Sequence, residues 1–110
     1  MATTYKILGQ SAPANTSNAD LYTVPSATNT VVSTIAVANT TANVVAARIY
    51  ARIGGASAAT SNAIMYDTNI PAYATSFVTI GATLSATDVI TVRSATASAL
   101  TFTAFGSEIA

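Results

Sequence analysis

The sequence contains no cysteine, no histidine and no tryptophan, and only 7% of its residues are charged. Without cysteine there is no disulfide framework and no thiolate nucleophile, and nothing to indicate a redox compartment. Without histidine there is no Ser-His-Asp triad and no imidazole metal ligand. Four basic side chains, Lys6, Arg48, Arg52 and Arg93, balance four acidic ones, Asp20, Asp67, Asp88 and Glu108. That balance argues against a nucleic-acid partner, which is held through displaced counterions. No apolar run approaches the roughly 18 residues of a membrane-spanning helix. The opening Met1-Ala2-Thr3-Thr4-Tyr5-Lys6 lacks the charged and apolar regions of a signal peptide. Three of the four carboxylates stand beside predicted turns, where Asp closes the turn more readily than it pairs for acid–base work. The D-x-D-x-D spacing of a calcium loop is missing, and Gly54-Gly55 is not followed by the Gly-Lys-Ser/Thr of a phosphate loop. The expectation is a protein that is not an enzyme and holds no cofactor or metal.

Scarce charge also bears on association. An average soluble protein carries roughly 25% charged residues, and a neutral, charge-poor surface is poorly protected against association. Much of this surface is therefore expected to be covered by other protein chains. At 110 residues the chain is one domain with a single modest core. Alanine makes up much of the 51% apolar fraction, so large apolar side chains are few.

What is present is period-two alternation. Residues 30–53 read as two long strands joined by the polar turn Asn39-Thr40-Thr41-Ala42-Asn43. In the second, Val45, Ala47, Ile49, Ala51 and Ile53 share one face, with Val44, Ala46, Arg48, Tyr50 and Arg52 on the other. The first is β-branched at Val31, Val32, Thr34, Ile35 and Val37, and Ser33 interrupts its Val31, Ile35, Val37 face. Shorter strands are predicted over residues 4–8 (ended by Gly9), 20–24 (stopped by Pro25), 63–67, 73–80 (broken by Gly81), 89–94 and from Leu100 onward. Gly106 marks a bulge. About eight short strands with turn signals every 8 to 12 residues point to an all-β fold, an antiparallel two-sheet β-sandwich of jelly-roll-like form. An immunoglobulin-like sandwich is the alternative.

Residues 1–19 read as an N-terminal strand and extended arm, ahead of a sandwich over residues 20–110. The arm is poor in apolar side chains apart from Tyr5, Ile7 and Leu8, which are expected to add as a strand to a sheet edge of this chain or a neighbour. Deleting residues 1–11 is then expected to leave the sandwich folded and weaken attachment. Arg48, Tyr50 and Arg52, two residues apart on one face, are either a solvated outer face or a contact surface, since Arg and Tyr are enriched at interfaces. Interface residues are therefore sought among Tyr5, Ile7, Leu8, Arg48, Tyr50 and Arg52.

Several stretches resemble small virion structural proteins of tailed bacteriophages, particularly phages of cyanobacteria. They are Lys6-Ile7-Leu8-Gly9-Gln10-Ser11, Asp20-Leu21-Tyr22-Thr23-Val24-Pro25, Thr34-Ile35-Ala36-Val37-Ala38-Asn39, Tyr66-Asp67 ahead of Ile70-Pro71, Thr87-Asp88-Val89-Ile90-Thr91-Val92, and Phe105-Gly106-Ser107-Glu108-Ile109. The likeness spans nearly the whole chain, and its motifs are structural rather than catalytic. Where such sequences often carry Arg-Pro-x-Gly, this one has Arg52-Ile53-Gly54-Gly55, so that corner differs. The resemblance implies a β-sandwich component of the virion, assembled in the host cytoplasm. The role it suits first is a head decoration (cement) protein on the outside of the major capsid protein lattice, expected as a homotrimer, with no nucleic-acid or membrane partner. The alternative is a tail-fibre or baseplate module in which exposed tyrosines and the loop at residues 54–62 recognise a host surface glycan.

Overall fold

The computed structural model describes residues 2–110. Eight strands, β1(Thr3–Ser11), β2(Ala19–Thr23), β3(Asn29–Asn39), β4(Val45–Arg52), β5(Ala63–Ile70), β6(Thr75–Leu84), β7(Val89–Ser94) and β8(Leu100–Ile109), form two four-stranded antiparallel sheets. Sheet 1 has the order β1-β8-β3-β6 and sheet 2 the order β2-β7-β4-β5. The pairs β1·β8, β2·β7, β3·β6 and β4·β5 nest like the two arms of one long hairpin folded alternately into the two sheets. Lateral pairing of β3 with β8 and β4 with β7 then closes each sheet. This is the jelly-roll arrangement, and it differs from the strand order of the immunoglobulin alternative. Phe102, Ile35, Ile49, Ile70, Ile90 and Leu100 are the largest side chains sealed between the sheets.

Residues 30–53 are not a hairpin. β3 and β4 lie in different sheets, and residues 40–44 cross between them. Asn39, almost fully buried, holds that crossing: its Nδ2 donates to the carbonyls of Asn43 (2.8 Å) and Ile70 (2.9 Å), and its Oδ1 accepts from the Thr41 backbone (2.9 Å) and hydroxyl (2.8 Å). A turn that saturates a buried amide is fixed by that amide, not by pairing of the flanking strands.

Ser33 is an extra residue in β3, where the register with β8 shifts between Val32 and Thr34. The bulge switches the inward face from Thr30 and Val32 to Ile35 and Val37, so Val32 rather than Val31 is in the core. β1 bulges in the same way at Leu8, between Ile7 and Gly9, and continues to Ser11 instead of ending at Gly9. The β3 bulge lies opposite Phe105 and Gly106 and the β1 bulge opposite Ala104 and Phe105, so the predicted bulge belongs to the neighbouring strands and not to β8 itself. β6 likewise continues past Gly81, which takes a positive φ of 56° where the register with β3 shifts between Thr79 and Ala82. Of the arm, Gln10 and Ser11 belong to β1, Pro13 is buried and its carbonyl accepts from the Ser98 amide at 3.0 Å, so residues 10–18 are anchored to their own domain.

One polar network joins the sheets. The Tyr22 hydroxyl on β2 donates to Glu108 Oε2 at 2.5 Å and lies 2.8 Å from Thr30 Oγ1, and Lys6 Nζ reaches Glu108 Oε1 at 3.0 Å. Its bonds to Tyr22 and then Lys6 hold the Glu108 carboxyl below its ordinary value, while burial and Glu108 push Tyr22 up to about 12. A depressed carboxylate contributes stability that is present above its unfolded value of 4.5 and lost as pH falls through the folded value. A raised tyrosine contributes stability that is complete below 10.0 and lost as pH rises toward about 12. Denaturant midpoints measured across both limbs are expected to fall at each end. Tyr22→Phe should flatten the alkaline limb and cost about 1–3 kcal/mol at neutral pH, because buried Thr30 loses its partner. Glu108→Gln should flatten the acid limb in part, Asp67 supplying the rest. An unchanged alkaline limb in Tyr22→Phe would mean that the Tyr22 hydroxyl does not couple pH to folding.

Candidate functional site

The two outer faces of the sandwich differ in chemistry. On sheet 1, cross-strand neighbours form three rows over all four strands: Tyr5–Ser107–Val31–Thr83, Ile7–Phe105–Thr34–Thr79 and Gln10–Thr103–Ala36–Phe77. No member of any row is charged. Tyr5 (84% exposed), Phe77 (69%), Ile7 (52%) and Phe105 (38%) stand out from this hydroxyl and methyl surface. Large apolar side chains left in water together are the informative kind of exposure.

The outer face of sheet 2 is charged. Arg48 on β4 grips Asp67 of β5 with two bonds, Nε–Oδ1 at 2.6 Å and Nη2–Oδ2 at 3.1 Å, and its guanidinium lies 4.1 Å over the Tyr66 ring. The register of β4 with β5 shifts here, and Asp67 takes a positive φ of 52°, so the irregularity turns both Tyr66 and Asp67 toward Arg48. The Arg48 bonds hold the Asp67 carboxyl below the ordinary range, with a smaller contribution from Arg93. Arg52 is used up in the fold: Nε donates to the Ala56 carbonyl (2.6 Å), Nη2 to that of Gly55 (2.9 Å), and Nη1 to Asp20 Oδ1 (3.0 Å) and Thr91 Oγ1 (2.9 Å). It fastens the loop between β4 and β5, where Asp88 Oδ1 also accepts from the Gly54 amide at 2.8 Å. Asp88 Oδ2 accepts from Ser85 N at 2.9 Å, the turn-closing role expected of it.

The candidate residues are thus divided. Tyr5 and Ile7 face solvent on sheet 1. Leu8 is in the core. Arg48, Tyr50 and Arg52 are on sheet 2, with Tyr50 buried at 4% exposure. Arg93 is not among the candidates that alternation in the sequence singles out. It lies directly opposite Arg48 in the β4–β7 register, and its Nε donates to the Thr16 carbonyl at 2.8 Å. Thr16, Ala46, Arg48, Asp67, Arg93 and Ala95 line an open cavity of about 200 Å³. The alternation of Val89–Ser94 points Arg93 outward, but only the register sets it beside Arg48. Among the described residues no cluster of three or more His, Cys, Asp or Glu could hold a metal ion, and no helix is long and apolar enough to cross a membrane.

No protein-family model and no curated protein matches the chain. Among solved structures it is similar to part of a chain in the structure of infectious bursal disease virus Gt strain, at 8% identity and a TM-score of 0.49. The match covers 97% of this chain and 32% of that one, so this chain spans about a third of that chain's length.

Proposed function

We propose that this protein is a non-catalytic virion structural component, a decoration protein that binds the outside of a major capsid protein lattice through the outer face of sheet 1. The observation that carries the reading is the uncharged face bearing Tyr5, Ile7, Phe77 and Phe105. Covering it desolvates no charge and removes aromatic and aliphatic side chains from water, the composition of an interface centre. Four strands about 4.8 Å apart and roughly ten residues long at about 3.3 Å each present on the order of 600 Å², close to one partner's share of a standard interface. Binding only the assembled lattice stabilises it by mass action. The sequence resemblance to phage virion proteins supports the same reading, and the homotrimer rests on it by analogy.

Protein composition of purified tail-less heads tests the location: the protein is expected there, and its absence overturns the decoration role. The face is tested by the double variant Ile7→Lys, Phe77→Lys. Both side chains are exposed, so stability should stay within about 0.5 kcal/mol, while occupancy of particles should fall at least tenfold. Undiminished occupancy would move the contact to another surface. Mass measurement in solution and on the particle should give a trimer, and a monomer in both would exclude it.

A further inference from the structure

We infer that the cavity between Arg48 and Arg93 is a binding site for a small hydroxylated carboxylic acid, of the sugar-acid class. It lies on sheet 2, opposite the proposed docking face, so its failure would leave the decoration role untouched.

The polar groups around the cavity are unequally occupied. Arg48 spends Nε and Nη2 on Asp67 and has Nη1 3.5 Å from the Tyr50 hydroxyl. Arg93 spends only Nε, on the Thr16 carbonyl. Among the described residues its two terminal nitrogens make no hydrogen bond or ion pair, and they belong to a side chain that lines the cavity. The Thr16 bond steadies the guanidinium through Nε and leaves the two terminal nitrogens as a planar pair of donors, whose geometry matches a carboxylate. Two arginines directly opposite on adjacent strands repel one another. Asp67 offsets one of them, and the second retains its charge.

The remaining groups narrow the ligand. One uncompensated positive charge suits a monoanion; the Asp67 carboxylate on the same wall opposes a doubly charged phosphate. Asp67 is half exposed, and its two oxygens each accept one bond from Arg48, leaving lone pairs for ligand hydroxyls. Thr16 lines the same cavity, and Ala46 and Ala95 add methyl surface against which ring C–H groups can lie. A guanidinium for the acid and a carboxylate for the hydroxyls together select a hydroxy acid over a bare carboxylate. At about 200 Å³ the cavity is below the size range of drug-like ligand pockets and corresponds to one sugar ring.

The test is a titration of the full chain, followed through the arginine Nε–Hε signals, with sodium glucuronate, glucose, sodium acetate and inorganic phosphate as separate probes. Glucuronate is expected to shift the Arg93 signal saturably, at least tenfold more tightly than acetate or phosphate, with no response to glucose. Arg93→Gln should weaken glucuronate at least tenfold with the amide spectrum otherwise retained. Arg93→Lys, which keeps charge and loses the fork, should weaken it several-fold and guards against a folding defect in the first variant. A glucuronate response equal in Arg93→Gln and the parent, or none in the parent, overturns the site. Acetate or phosphate binding as tightly as glucuronate overturns its sugar-acid selectivity.

Discussion

Replacing Gly106 by alanine is expected to cost more than about 4 kcal/mol and to leave most of the chain unfolded at ordinary temperature. A Cβ at this position would lie 2.0 Å from the Val31 carbonyl oxygen and 3.0 Å from Leu8 Cδ1. The Leu8 methyl could move, but the Val31 carbonyl belongs to the middle of sheet 1, where β3 is paired on both sides. Relieving the overlap means separating β8 from β3, and with it the seam that closes the jelly roll. Gly54 provides the control. Its φ is 59° and nothing lies within 4 Å of a Cβ there, so Gly54→Ala should carry only the conformational cost of roughly 1 kcal/mol. Denaturant midpoints of the two variants separate clash from conformation. A Gly106→Ala protein as stable as Gly54→Ala would mean that β3 and β8 are not this close.

Deleting residues 1–11 is expected to collapse the fold. As a sequence the segment reads as an attaching arm that the sandwich can fold without, but in the structure β1 pairs with β8 along nearly its full length and places Leu8 in the core. Losing the Leu8 side chain alone should cost about 2–5 kcal/mol, measurable in Leu8→Ala. The deletion adds loss of the ladder, exposure of the β8 edge and removal of Lys6 from Glu108. Together these approach the whole stability of a domain this size, which is on the order of 5–15 kcal/mol. Thermal melting of the truncated protein should show no cooperative transition, or one far below that of Leu8→Ala. A melt matching the full chain would restore the arm to a purely attaching role. The double variant on the sheet 1 face, which leaves β1 in place, keeps the attachment question separate.

The charged face shows what could and could not be read for the site. Arg48, Tyr50 and Arg52 were legible as neighbours because they recur every second residue along one strand. Their availability was not. Asp67 is 19 residues beyond Arg48, and Asp20 is 32 residues before Arg52. Both arginines are therefore committed within the fold, whereas among the described residues the two terminal nitrogens of Arg93 make no hydrogen bond. Of the apolar candidates, Tyr5 and Ile7 are outward and Leu8 inward, as alternation requires, but the Phe105 and Phe77 that complete their face come from distant strands.

The sequence by itself determined that this is an all-β chain of about eight short strands. It also determined that the chain has no imidazole or thiolate chemistry to offer. Alternation is a property of residues adjacent along the chain, so β7 was readable to its observed ends and β4 through Val45, Ala47 and Ile49. The tertiary structure decided the rest. It separated β3 from β4, which look like one hairpin, because the Asn39 side chain turns the chain into the second sheet. It moved Val32 inward at the Ser33 bulge, opposite the close approach of Gly106 to Val31. It set Arg93 against Arg48. Each of these is a contact between segments tens of residues apart, and its energy depends on a register that no local pattern encodes.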